Sequence, residues 1–183
     1  MKGVDQMPKI IPNLRSNIIT KGREILFTEG YDALSMRRMA AECGIAVGTI
    51  YNYMRNKDDL VAHICMEDWM KAGDELNEGL KGIESFPEGV EYIYRGVRDF
   101  TAEYQRYWNQ YSESGGSLDI VKRIHPHLRS KLSRMMNGLL HCESEEKKSA
   151  ISNVMAELII AAVTHPDLGE EKFSAFLKCV DVS

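Results

Sequence analysis

Apolar residues recur at three- and four-residue steps along most of the chain, and strand-like alternation is scarce. That period gathers apolar side chains on one face of an α-helix but scatters them over both faces of a strand. The chain is therefore expected to be all-α, with about nine helices.

Local punctuation supplies the boundaries. A first helix is expected over Asn13–Glu29, turning Leu14, Ile18, Ile25 and Leu26 inward, with Pro12 before it and Gly30 as its stop. Residues 1–11 are expected to fray. Ser35 suits the N-cap of a short helix over Met36–Cys43 that Gly44 closes, although Arg38 stands where a capping box needs an acid. A third short helix is expected over Val47–Tyr53. A long fourth helix starts at Asn56 with Asp58 and Asp59 in its first turn, and carries a stripe of Val61, Cys65, Trp69, Ala72, Leu76 and Leu80.

Gly82–Pro87 is the next break. Val90, Ile93, Tyr94, Val97 and Phe100 open a fifth helix whose apolar face continues through Tyr104, Tyr107, Trp108 and Tyr111. Ser114-Gly115-Gly116-Ser117 ends it. A short helical piece, Leu118–Arg123, is expected to stop at His125-Pro126, where a separate helix begins and buries Leu128, Leu132, Met135, Met136, Leu139 and Leu140. Ser144 caps the next, with Ile151, Val154, Met155, Leu158 and Ala162 inward, and His165-Pro166 breaks it. The last helix carries Phe173, Phe176, Leu177 and Val180.

At 183 residues, 44% hydrophobic and 27% charged, the composition is that of a soluble globular protein long enough to bury a core. The apolar run Leu158–Val163 is far short of a membrane span and no charged-then-apolar leader opens the chain, so the expected location is the cytoplasm. Cys43, Cys65, Cys142 and Cys179 are scattered without a Cys-x-x-Cys pair, and read as buried free thiols rather than disulfides or zinc ligands. His125-Pro126-His127 has no acidic or Cys partner at helical ligand spacing, and His125, His127, His141 and His165 read as surface or capping residues, so neither a metal nor a cofactor is expected. Residues 1–57 hold nine Lys/Arg against five Asp/Glu, whereas residues 58–183 hold fourteen against twenty-two. A basic head on an acidic body fits a protein whose head meets a polyanion.

The stretch GIAVGTIYNYMRNKDD, residues 44–59, sharpens this. Two short helices joined by the tight turn Cys43-Gly44-Ile45-Ala46 have the layout of a helix-turn-helix, whose second helix enters the DNA major groove. Met39, Ala40, Ile45 and Ile50 can close a small core against Ile25, Leu26 and Leu34. Arg37, Thr49, Tyr51, Asn52, Tyr53 and Lys57 are left outside it. Thr49 and Tyr51 can donate hydroxyls to phosphates, and Arg37 and Lys57 can supply cations. Gly48 lets backbone N–H groups approach a phosphate. Asn52 can pair with adenine, Val47 or the Thr49 methyl can touch a thymine methyl, and Tyr53 can reach backbone or base. Two tyrosines that merely cover a bundle would show the same composition.

Their order resolves the choice. Glu29-Gly30-Tyr31-Asp32-Ala33, Ser35-Met36-Arg37-Arg38-Met39-Ala40, Cys43-Gly44-Ile45, Gly48-Thr49-Ile50-Tyr51-Asn52-Tyr53-Met54 and Asn56-Lys57-Asp58-Asp59-Leu60 follow one another in one fixed spacing. Residues 14–64 thereby resemble the DNA-binding domain of the TetR/AcrR family of bacterial transcriptional regulators. The resemblance implies a helix-turn-helix domain over 9–55, with Ser35, Arg37, Val47, Gly48, Thr49, Tyr51, Asn52, Tyr53 and Lys57 at the DNA. It implies a ligand-binding and dimerisation bundle over 56–183. Ala46 stands where the family usually has a capping Ser or Thr, Val47 where it is often polar, Gly22 where Ala is usual, and Met54 where Phe is usual.

The same resemblance implies a homodimer through helices at about 144–164 and 169–180, where Ala150, Ala156, Ala161 and Ala162 permit close packing. Two recognition helices roughly 34–36 Å apart then call for a pseudo-palindromic operator. A small-molecule effector of unknown identity is implied among the middle helices, with Trp69, Tyr104, Trp108, Tyr111, Met135 and Met136 as candidate lining. Two other readings stay open: a DNA-binding regulator without a small ligand, and a helical-bundle enzyme. The enzyme lacks a constellation, having no Glu-x-x-His pair, no His-Glu-x-x-His and no Gly-x-Ser-x-Gly.

Overall fold

The fold is taken from a computed structural model, which describes residues 13–113, 119–141 and 144–179. Among them are eight α-helices: α1 (Leu14–Glu29), α2 (Met36–Glu42), α3 (Val47–Tyr51), α4 (Lys57–Gly79), α5 (Phe86–Glu113), α6 (Asp119–Leu139), α7 (Glu145–Thr164) and α8 (Glu170–Leu177). Short 3-10 turns cover Tyr31–Ala33 and Pro166–Leu168, and no strand occurs among the described residues. The chain is all-α, as its periodicity requires.

It divides into two compact units, Met1–Ile64 and Cys65–Ser183, with the division inside α4. In the first, Ile18, Leu26, Met39, Ile50, Met54, Leu60 and Ile64 lose essentially all contact with solvent. Burying each such side chain contributes about 1.5–3 kcal/mol before conformational entropy is charged against it. In the second, one core gathers Trp69 and Leu80 of α4, Val90, Ile93 and Val97 of α5, Leu132 and Met136 of α6, Met155 and Ile159 of α7, and Phe173 and Leu177 of α8. Stacking of Tyr94 on Phe173, with centroids 4.6 Å apart, ties α8 to α5.

Several boundaries differ from those read in the sequence. The expected break at Pro126 is absent: α6 runs through it as one helix, which lowers the helix number. Proline removes one N–H and crowds the carbonyl four residues back, that of Lys122. Both residues are exposed, where the loss of one backbone bond costs least. α5 begins at Phe86 rather than Val90, because Pro87 sits in its first turn, where a missing N–H costs nothing. α3 ends at Tyr51, and Asn52 and Tyr53 lie in the turn beyond it.

Val154, expected inward, is 59% exposed, and Phe176 on the last helix is 42% exposed. α7 carries apolar or small residues on most of its circumference, so its period does not single out one inner face. Of the three described cysteines only Cys65 is buried; Cys43 is half-buried and Cys179 exposed. Cys142, residues 1–12, Ser114–Ser117, Leu118 and Val180 lie outside the described residues.

Candidate nucleic-acid interface and internal cavity

Ser35 caps α2 as its sequence position suggests, its Oγ accepting from the Arg38 N–H at 3.2 Å. Arg38, which spoils the capping box, instead donates twice to the Glu29 carboxylate, at 2.8 and 2.5 Å, and pins α2 to the end of α1. That guanidinium holds the Glu29 carboxyl below its usual range. The turn after α2 depends on Gly44, whose φ of 65° is left-handed and costs a side-chain-bearing residue roughly 1 kcal/mol or more. The Ile45 N–H then reaches back to the Ala40 carbonyl at 3.0 Å and closes the turn. Ala46 offers α3 no side-chain cap.

α3 is anchored by one residue. Ile50 is fully buried, while Val47, Gly48, Tyr51, Asn52 and Tyr53 are exposed around it and Thr49 is half-exposed. Tyr51 is 52% and Tyr53 41% exposed, too open for rings that only complete a core. Ser35 and Arg37 at the start of α2 are exposed too. The polar residues singled out in the sequence are thus brought to the surface of α2, α3 and the turn after it.

Lys57 is placed differently from a free surface cation. Its ammonium lies 3.5 Å from the centre of the Tyr31 ring. Burial pushes its pKa down, against the carboxylates of Asp32 and Asp58, which push it up. The start of α4 is held by reciprocal bonds: Asn56 Oδ1 accepts from the Asp59 N–H at 2.8 Å, and Asp59 Oδ2 accepts from the Arg55 N–H at 2.8 Å. Asp59 is buried, with His63 Nε2 3.7 Å from its Oδ1 and an Arg15 guanidinium nitrogen 3.0 Å from His63 Nδ1. Neither Tyr31 nor this cap stood out in the sequence as part of a site, because Tyr31 and Lys57 are 26 residues apart and show no local pattern.

The second unit contains a cavity of about 280 Å³. Phe100, Tyr104 and Trp108, on successive turns of α5, make one wall. Adjacent rings are 5.1 and 6.4 Å apart and tilted by 36° and 33°. Ile124 and Leu128 of α6 with Ile160 and Val163 of α7 make the aliphatic side, and Cys65 of α4 also reaches it. Thr101, Gln105, His125 and Thr164 supply the polar atoms. Of the six expected lining residues, Tyr104 and Trp108 line the cavity. Trp69, Tyr111, Met135 and Met136 do not; all four are buried elsewhere in the fold. Trp69 packs edge-on to Phe100 at 5.2 Å. Thr101 and Thr164 carried no sequence signal, since a hydroxyl on a helix reads as surface.

Residues 18–64 match the family described as "Bacterial regulatory proteins, tetR family". The likeness to the TetR family is thus carried by the helix-turn-helix unit of the chain. Among curated relatives, it is similar to the HTH-type transcriptional regulator UidR of Escherichia coli K12, 27% identical over 100 residues that cover 55% of this chain and 49% of UidR. In that match the chain spans about half the length of the relative. Similarity to the uncharacterised HTH-type regulator YhgD of Bacillus subtilis, at 24% identity, extends over 90% of this chain and 93% of that protein. Among solved structures, RolR crystallised without ligand superposes with a TM-score of 0.59 at 19% identity, covering 92% of this chain and 91% of RolR, which establishes likeness of fold.

Two departures from the family pattern that the sequence resembles acquire a physical account. At Gly22 a Cβ would lie 3.1 Å from Leu60 Cδ2 and 3.2 Å from Ile64 Cδ1, tighter than ordinary contact. Met54 replaces the usual Phe and is fully buried, so an unbranched side chain fills that space. Among the described residues no helix is long and apolar enough to cross a membrane, and no group of three or more His, Cys, Asp or Glu could hold a metal ion.

Proposed function

We propose that the protein is a sequence-specific DNA-binding transcriptional regulator, a repressor that binds a pseudo-palindromic operator as a homodimer and leaves it when a small molecule fills the cavity. The observation that carries the DNA-binding reading is α3: one fully buried anchor, Ile50, with exposed Val47, Tyr51, Asn52 and Tyr53 around it. Hydroxyl and ammonium groups at Thr49, Tyr51 and Lys57 are the kind that fix register on phosphates, and Asn52 is the side chain suited to a base edge.

The cavity favours a ligand-gated regulator over one without a ligand. A concave site of about 280 Å³ walled by aromatic and aliphatic side chains with a few polar groups is the kind that takes small molecules. α4 is one continuous helix that starts at Lys57 and carries Cys65, a cavity residue, about two turns later. A ligand acts only through its differential affinity for the bound and released states, and moving the population from 1:99 to 99:1 takes about 5.5 kcal/mol of it.

The test is selection of genomic DNA fragments by purified protein, with a Thr49→Ala/Tyr51→Phe/Lys57→Ala variant in parallel. Enrichment of a pseudo-palindrome that the variant loses is the expected outcome. No enrichment by a folded dimer across a range of low salt would reject sequence-specific binding.

A further inference from the structure

We propose that the cavity selects an uncharged, flat aromatic molecule of one or two rings that carries a hydrogen-bond donor, such as a phenolic hydroxyl, and rejects carboxylates. This rests on the reading of the cavity as an effector chamber.

Size comes first. At about 280 Å³ the cavity lies just below the usual range of small-molecule sites, roughly 300–1,000 Å³, which limits the occupant to a small ring system. Shape comes next. Phe100, Tyr104 and Trp108 form one gently tilted aromatic surface facing an aliphatic side that includes Leu128 and Val163. A flat ring stacks on such a wall with its other face against methyl groups.

Charge decides the class. No Lys, Arg, Asp or Glu lines the cavity among the described residues. The one lining side chain able to carry a positive charge, His125, has its Nε2 3.2 Å from Glu157 Oε2. Arg129 approaches the same carboxylate at 3.7 Å. Any charge on the imidazole is already paired, and Glu157 would repel an incoming carboxylate. Burial pushes the Cys65 thiol up to about 12, so that lining group is an uncharged wall. An acid entering here would lose hydration without gaining a counter-ion.

The hydroxyls set the polarity of the remaining contact. Thr101 donates its proton to the Val97 carbonyl at 2.7 Å, and Thr164 to the Ile160 carbonyl at 2.7 Å. A hydroxyl has one proton, so with these bonds made each oxygen offers lone pairs, and that of Thr164 also lies 3.1 Å from His165 Nδ1. In this arrangement the Thr101 oxygen is placed to receive a ligand O–H or N–H.

The experiment measures binding of naphthol, naphthalene, naphthoate and naphthyltrimethylammonium to the full chain by tryptophan fluorescence and calorimetry. Naphthol is expected to bind about three- to tenfold tighter than naphthalene, and naphthoate at least a hundredfold weaker than naphthol. Thr101→Val should remove the naphthol advantage while leaving naphthalene affinity unchanged, and Leu128→Trp should abolish both by filling the space. Preferential binding of the carboxylate or the ammonium that Leu128→Trp blocks would overturn the ligand class and leave the chamber standing. Naphthol binding that survives Leu128→Trp in a folded variant, or no binding of any probe, would overturn both, while the DNA selection above stands apart.

Discussion

The Lys57 ammonium rests 3.5 Å from the centre of the Tyr31 ring, while the Tyr31 hydroxyl donates to Asp58 Oδ1 at 2.5 Å. The ring therefore holds the cation, and the neighbouring carboxylate holds the ring, at the start of α4. A lysine so restrained loses less side-chain entropy on meeting a phosphate than a free one would. Cation–π contacts of this kind are worth about 0.5–1 kcal/mol at exposed sites.

Tyr31→Leu should accordingly weaken DNA binding about two- to fivefold without changing its salt dependence, because the cation is still present. Lys57→Ala should weaken it and also lower the slope of log affinity against log salt by about 0.9 per site. Titrations at several salt concentrations separate the two. Equal slopes for Lys57→Ala and the parent would show that Lys57 does not reach a phosphate.

Gly22→Ala pits two effects against each other. Alanine gains about 1 kcal/mol in helix propensity. Its Cβ, however, would press on Leu60 Cδ2 and Ile64 Cδ1 at 3.1 and 3.2 Å, and Leu60 is only 1% exposed, with little room to yield. Overpacking costs about 1–3 kcal/mol, so the variant should be less stable than the parent by up to about 2 kcal/mol. In a Leu60→Ala background only the Ile64 Cδ1 contact at 3.2 Å remains, so Gly22→Ala should destabilise less there than in the parent, or become stabilising. Urea midpoints of the four proteins complete the cycle; additive effects would refute the steric account.

Cys65 gives the stability a pH dependence of known sign. Burial, with a smaller contribution from the Asp68 carboxylate, raises the thiol from an ordinary value of 9.0 to about 12. The folded chain thus holds this proton more tightly than the unfolded chain. The associated stability is fully present below pH 9.0 and drains away as the pH climbs towards about 12. Between pH 8 and 10.5 the parent should lose about 2 kcal/mol more than Cys65→Ala, which has no thiol to titrate. Parallel losses in both proteins would mean that the thiol ionises freely in the fold.

The first unit was legible in the sequence because its signals are local. Gly30, Ser35, Gly44 and Asn56 each act within a few residues, and the helices end where those residues stand. The exposed residues of α3 could be read for the same reason, since a five-residue helix with one buried side chain leaves little choice. The cavity was less legible. Trp69 and Trp108 look alike in an apolar stripe, yet one is core and the other wall, and the difference is set by which helix happens to cross at that level. The Tyr31–Lys57 contact was invisible because it depends on the fold bringing two distant positions together. Pro126 misled because its cost depends on whether the lost backbone bond is exposed, which spacing does not show.

Val154 was misplaced for a reason that is itself testable. An apolar residue facing a partner chain and one facing its own core leave the same mark in a sequence. Val154 on α7 and Phe176 on α8 are 59% and 42% exposed, on the two helices to which the proposed homodimer assigns the interface. Val154→Asp combined with Phe176→Asp places two carboxylates in each protomer where that interface would be apolar. Because both positions are exposed in the single chain, the fold should survive, with an unchanged helical circular dichroism spectrum and little change in stability. Sedimentation should shift from dimer to monomer. Operator affinity should fall by more than a hundredfold, since each half-site contact would lose the linkage to its twin. A variant that remains dimeric would move the interface to another face of the bundle.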